Sequence, residues 1–126
     1  MFEFEGQLCG LLICYDVEFP DHIRSLAQRG ATLILAPTAN PADYDHVPQI
    51  LVPARAYENR VNLAYVNYCG DADGIHFGGL SLIAGPDGQP IAMAGRSPAL
   101  LIADIPPFET YPEGKLSTQA RDLRPV

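Results

Sequence analysis

The 126-residue chain has no tryptophan and a single lysine, Lys115. Its 8 basic side chains face 15 acidic ones, giving a formal net charge of −7 and an isoelectric point near 4.7. The arginines are scattered singly, so no basic stripe is present to neutralise phosphates. Nucleic acids and anionic membrane surfaces are therefore not expected as partners. No apolar run approaches the roughly 20 residues that a membrane span needs. Met1-Phe2-Glu3-Phe4-Glu5 lacks the basic start and long apolar stretch of a signal peptide, and a cytoplasmic location is expected. Cysteine is scarce and odd in number (Cys9, Cys14, Cys69), which argues against a disulfide framework. On one strand Cys9 and Cys14 would point to opposite faces. There is no CxxC, and His22, His46 and His76 are far apart, so neither a metal nor a cofactor is expected.

What remains is 48% apolar with a mean hydropathy of +0.04, which suits one globular domain. Leu8–Cys14 is a continuous apolar run, as in a strand covered on both faces. Phe19–Arg29 reads as a helix, with Pro20 in the first turn, Ile23, Leu26 and Ala27 as the buried stripe, and Gly30 as C-cap. Thr32–Ala36 is a second apolar strand, stopped by Pro37. Strand, helix, strand over about 30 residues is a βαβ unit with parallel strands and a right-handed crossover. Ile50, Ala54, Tyr57 and Val61 then recur at helical spacing, with Pro53 expected to kink that helix or delay its start. Leu63–Asn67 is a third strand. After a loop at Gly70–Gly74, Leu80–Ala84 and Pro90–Ala94 form a hairpin, and Ala99–Ile105 adds a strand. The expected class is α/β: a mixed sheet of βαβαβ followed by antiparallel strands. Residues 1–105 form the folded body, and 106–126, with four prolines, an extended arm.

Cys14 ends the first strand and is followed by the acidic turn Tyr15-Asp16-Val17-Glu18 and then Phe19-Pro20. A thiol there stands at the carboxyl edge of a sheet beside a new helix N-terminus, a mount that favours the nucleophilic form. The alternative is a packed thiol, since free cysteine is among the most buried residue types. The loop Thr38–Val47, rich in Asn, Asp, Pro and Tyr, lies beyond the second strand, at the edge where open α/β sheets bind ligands.

Five ordered motifs resemble the nitrilase, or carbon–nitrogen hydrolase, superfamily. Gly10–Pro20 is similar to its nucleophile motif, and Ala31–Asn40 to the following strand and loop. Ala54–Asn59 resembles its second helix, and Val66–Gly70 with Gly79–Gly88 its later strands. Asp122-Leu123-Arg124-Pro125 resembles the start of its C-terminal segment. The resemblance implies the C-terminal half of an αββα sandwich. It also implies a Glu–Lys–Cys triad whose Glu and Lys precede the Cys in sequence. Only 13 residues precede Cys14, and Lys115 matches no catalytic position.

For the complete enzyme the resemblance implies that Cys14 attacks an amide or nitrile carbon. A thioester forms as ammonia leaves, and water then releases the acid. The backbone N–H of Tyr15 is implied as one oxyanion donor, the missing Lys as the other. Members that hydrolyse N-carbamoyl amino acids carry arginine near Glu18. Glutamate there, with Asp43, Tyr44 and Asp45 nearby, favours a neutral or cationic substrate tail, as in amidases of the 5-aminopentanamidase type. Glu18 alternatively caps the helix N-terminus. Asn40 and Asn67 either line the pocket or make turns, and Tyr44 joins the substrate-binding set. Arg55 and Glu58, at i and i+3, are expected to support the structure as an ion pair, with Asn59 beside them. Half a sandwich leaves an apolar sheet face bare, so a homo-oligomer is expected. The competing reading is a catalytically inactive fragment that serves as a binding or interaction module.

Overall fold

The computed structural model describes residues 1–112 and 114–124, so Pro125 of the last motif lies outside the described residues. Strands β1 (Phe2–Phe4) and β2 (Gln7–Leu11) lead into helix α1 (Pro20–Gln28), strand β3 (Leu33–Thr38), helix α2 (Val52–Asn59) and strand β4 (Asn62–Asn67). Then come β5 (Cys69–Ala72), β6 (Ile75–Gly78), β7 (Leu82–Ala84), β8 (Pro90–Met93) and a short α3 (Gln119–Asp122). Six strands form one sheet in the order β1-β2-β3-β4-β7-β8, while β5 and β6 pair by themselves. β2, β3 and β4 run parallel and the outer strands antiparallel, the mixed α/β sheet expected from the sequence.

Register decides what each face shows. Gly10, Ile34, Leu63 and Ala84 stand side by side across the sheet, and Ala36, Tyr65 and Leu82 form the next row. Both rows are buried beneath α1 and α2 with Ile23, Val52 and Ala56. The intervening row, Leu11, Leu35, Ala64 and Ile83, faces the other way. On that side Leu11 (51% exposed), Ile13 (63%) and Val66 (59%) meet solvent. A sheet with helices on one face and apolar side chains bare on the other is half of a layered sandwich.

Local chemistry sets the ends of the elements. Pro20 opens α1, and Gly30, at φ +95, closes it with its N–H on the Ala27 carbonyl at 2.9 Å. Pro53 falls in the first turn of α2, which starts only after a wide turn at Val47–Leu51 whose geometry sends the Val52 N–H back to the Val47 carbonyl.

Four expectations are corrected. The first strand stops at Leu11 rather than Cys14. Leu12 N–H still reaches the Leu35 carbonyl (2.9 Å), but the Ile13 N–H goes to the Asp16 carboxylate (3.1 Å) and the chain turns into a 3-10 turn at Cys14–Glu18. β3 runs through Pro37 to Thr38. Leu35 faces β2, so Pro37 does too, and β2 has already left the sheet there; the absent N–H costs no ladder bond. Gly70–Gly74 is not a bare loop but the centre of the β5–β6 hairpin, turned by Asp73 (φ +51) and Gly74 (φ +78). Ala99–Ile105 is not a strand. Its burial alternates as in one, with Leu100 and Ile102 84% and 86% exposed, but it pairs with no strand among the described residues. From residue 106 the described tail carries a 3-10 turn at Phe108–Thr110 and the short α3.

Candidate active site

Cys14 opens the 3-10 turn beyond the carboxyl end of β2 and adopts φ +51, a left-handed conformation that a non-glycine residue rarely takes. The Asp16 carboxylate on Ile13 N–H, and the Asp16 N–H on the Ile13 carbonyl at 3.1 Å, hold the turn in that shape. Cys14 is a half-buried free thiol. The first backbone bond of the turn comes from Asp16, so among the described residues the Tyr15 N–H has no backbone acceptor. The Tyr15 ring is turned outward, edge-on to Phe19 with centroids 4.8 Å apart.

The thiol donates to the carboxamide oxygen of Asn40, at 3.8 Å. Asn40 follows β3 and is buried, 7% exposed, so the loop beyond that strand does reach the thiol. The Asn40 side-chain N–H donates to the Tyr65 hydroxyl at 3.0 Å. Its backbone N–H donates to the Asn67 side-chain oxygen at 2.7 Å, and its carbonyl accepts from the Asn67 amide (3.2 Å) and the Gly78 N–H (3.0 Å). Asn67 also donates to the Gly79 carbonyl (3.0 Å), and its own N–H is held by the Ser81 hydroxyl (2.9 Å). Both asparagines therefore make a web rather than simple turns. Burial pushes the Tyr65 phenol up to about 12; the Asn40 hydrogen bond pulls against this, and the negative charges of Cys14, Glu18 and Asp45 add to it.

On the other side of the turn, Arg55 of α2 donates to the Glu18 carbonyl (2.9 Å) and to the Glu58 carboxylate (3.2 Å). Asn59 donates to the Arg55 carbonyl at 3.0 Å. This trio braces the back of the Cys14 turn and does not touch the thiol. Helix α1 has no side-chain cap, so the Glu18 carboxylate is not spent on capping and lies close enough to Tyr65 to act on its pKa.

Tyr44 stands apart from Cys14 and packs against His46, with ring centroids 5.9 Å apart. Asp45 is gripped by Arg96, which also donates to the Gly78 carbonyl at 3.1 Å; that guanidinium holds the Asp45 carboxyl below its ordinary range. One of the acids expected to make the rim negative is thus paired. A cleft bordered by Ile13, Pro37, Thr38, Val66, Asn67 and Tyr68 opens over Cys14 on the bare face of the sheet. Sequence reasoning missed Tyr65, Ser81 and Arg96. Tyr65 reads as one more apolar strand position, and Arg96 lies 51 residues from its acidic partner.

Among the described residues, Asn40 is the one hydrogen-bond partner of the thiol, and a carboxamide does not take up a proton at neutral pH. The site offers a thiol and one free N–H, and no side chain that could take up the thiol proton bonds it among the described residues. No group of acidic, His or Cys side chains able to hold a metal occurs among them, and no described helix is long and apolar enough to cross a membrane.

A carbon–nitrogen hydrolase family profile matches residues 1–112. The chain belongs to the carbon–nitrogen hydrolase family. A hydrolase encoded in the pqqF 5' region of Pseudomonas protegens is 50% identical over 105 residues, which cover 83% of this chain and 37% of that protein. An (R)-stereoselective amidase of Pseudomonas sp. is 36% identical over 103 residues, covering 81% of this chain and 38% of the relative. An amidase of Nesterenkonia sp. AN1 superposes with a TM-score of 0.81 at 50% identity, over 83% of this chain and 41% of that one. A variant of that amidase carries the acetamide moiety of fluoroacetamide on its active-site cysteine; it superposes with a TM-score of 0.80, also at 50% identity, over 82% of this chain and 39% of its own. This carbon–nitrogen hydrolase chain thus spans about two fifths of the length of these relatives.

Proposed function

We propose that the chain is the nucleophile-bearing half of an amidase, with Cys14 as the attacking group. Residues 1–105 form that half and 106–126 an arm. The observation that carries this reading is the Cys14 mount: a left-handed residue at the sheet edge, its thiol at the floor of a cleft, next to the free N–H of Tyr15. In the complete enzyme a general base takes the thiol proton and the sulfur attacks the amide carbon. The C–N bond of the tetrahedral intermediate breaks, ammonia leaves with a proton returned by that base, and water hydrolyses the thioester to the acid. The Tyr15 N–H meets the developing oxyanion; one such donor contributes about 3 kcal/mol to the barrier. The base and a second donor come from an N-terminal half, which seats on the bare sheet face.

The substrate proposed is a short amide with a neutral or cationic tail, drawn by Glu18 and Asp43; Asp45, already paired with Arg96, contributes less. Asn40 acts on the thiol and Tyr44 at the outer rim. Arg55, Glu58 and Asn59 are structural. The bare apolar face supports a second reading, an interaction module that self-associates as a homo-oligomer. One experiment separates the two. This chain is joined behind a family-matched N-terminal half, and ammonia release is measured from 5-aminopentanamide and from N-carbamoyl amino acids, with and without Cys14→Ala. Release that needs Cys14 and favours 5-aminopentanamide is expected. Release that survives the substitution refutes the nucleophile, and a preference for the carboxylate substrates refutes the cationic tail.

A further inference from the structure

One carboxamide separates the Cys14 sulfur from a buried phenol. Asn40 accepts from the thiol at 3.8 Å and donates to Tyr65 at 3.0 Å. Its backbone is fixed on both sides, the N–H by Asn67 and the carbonyl by Asn67 and Gly78, so the free motion left to it is rotation of the carboxamide. The orientation seen suits a thiol, which has a proton to give. Once that proton leaves, sulfur is an acceptor only and faces a carbonyl oxygen. A half-turn of the carboxamide presents its N–H to the sulfur and its oxygen to Tyr65. A hydroxyl can accept in the first orientation and donate in the second, and phenols donate better than they accept. Burial pushes Tyr65 up to about 12, so it keeps the proton it needs at neutral pH.

We propose that Asn40 and Tyr65 form a reversible carboxamide switch that follows Cys14 between thiol and thiolate, with Tyr65 as the positioning residue that completes the thiolate orientation. The inference rests on Cys14 being the nucleophile, and it requires nothing from the missing half. The test is alkylation of the 126-residue chain by iodoacetamide near neutral pH. A C–S bond forms as C–I breaks, iodide leaves, and the thiol proton passes to buffer. Rates are read separately at Cys14 and Cys69 by peptide mass in wild type, Tyr65→Phe and Asn40→Asp.

Tyr65→Phe is expected to slow Cys14 roughly three- to tenfold, the loss of one hydrogen bond. Asn40→Asp, which has no N–H to offer, is expected to slow it at least tenfold. Cys69 should keep its rate in both. A purely structural role gives the opposite sign, because a loosened fold exposes thiols and speeds both cysteines. Unchanged or faster Cys14 alkylation in the two variants overturns the switch while leaving the nucleophile intact. A wild-type Cys14 that reacts no faster than Cys69 overturns both. Both variants are close to isosteric, and if Tyr65→Phe loses its circular dichroism spectrum the Asn40→Asp result decides.

Discussion

Asn67 is the residue whose removal should cost this fold most for its size. Its side chain makes three hydrogen bonds to main-chain groups: it accepts from the Asn40 N–H at 2.7 Å and donates to the Asn40 carbonyl at 3.2 Å and the Gly79 carbonyl at 3.0 Å. Those groups belong to the loop after β3 and the connection between β6 and β7, and Asn67 at the end of β4 ties both to the sheet. Each bond contributes roughly 1 kcal/mol net, so Asn67→Ala should destabilise the chain by about 3 kcal/mol. Unfolding entropy near 2.1 cal/mol/K per residue, taken over the chain, converts this to a melting point lower by roughly 11 °C. Thermal and urea denaturation followed by circular dichroism measure it, with an unchanged urea m-value expected. Asn67→Asp adds a sharper check: it keeps the size and one acceptor but sets a carboxylate against two carbonyl oxygens. It should be at least as damaging as alanine. A drop under about 3 °C for alanine, or a milder effect for aspartate, would refute the view of Asn67 as a staple.

Two glycine substitutions should differ in cost for a stated reason. At Gly10 a Cβ would stand 2.8 Å from the tip of Leu26, which can move, so Gly10→Ala should cost about 1 kcal/mol in urea denaturation. At Gly79, with φ +65, the Cβ would stand 2.9 Å from Arg96 Cα and the Gly95 carbonyl oxygen, so Gly79→Ala should cost about 3 kcal/mol or more; equal costs would contradict the packing. Tyr65 gives a pH dependence with a definite sign. Its folded pKa of about 12 lies above the ordinary 10, so the neutral phenol's contribution is intact below pH 10 and is lost as pH rises towards 12. The loss totals about 3 kcal/mol, and urea midpoints of Tyr65→Phe should lack that alkaline slope. Val66→Lys puts a charge at the centre of the bare face, where Val66 is 59% exposed; it should leave the melting point within about 2 °C but weaken self-association in sedimentation velocity.

The parallel core was legible because its residues carry the full pattern locally. Leu33–Ala36 and Leu63–Val66 are apolar runs bounded by turn residues, and α1 has a proline at its start and a glycine at its end. The position of Cys14 was legible, but its conformation was not, since it depends on the Asp16 carboxylate taking the Ile13 N–H three residues back. The β5–β6 hairpin was signalled by Asp73-Gly74, which is turn chemistry rather than loop chemistry. Ala99–Ile105 misled in the other direction: alternation describes side chains, whereas a strand also needs a neighbour with free backbone groups. In the site, local braces such as Arg55 with Glu58 could be read from spacing. The Asn40–Tyr65 and Asp45–Arg96 contacts join residues 25 and 51 positions apart, and no local signal announces them.

The most direct test of Cys14 as an amidase nucleophile is to trap its acyl intermediate. The chain joined to an N-terminal half is mixed with 5-aminopentanamide, quenched in acid, and digested for peptide mass. The peptide containing Cys14 should gain the mass of the acyl group, lose it on treatment with hydroxylamine, and show neither change in Cys14→Ser prepared the same way. Ammonia release with no acyl group on Cys14 at any time point, or an acyl group found on Cys9 or Cys69 instead, would contradict the proposed chemistry.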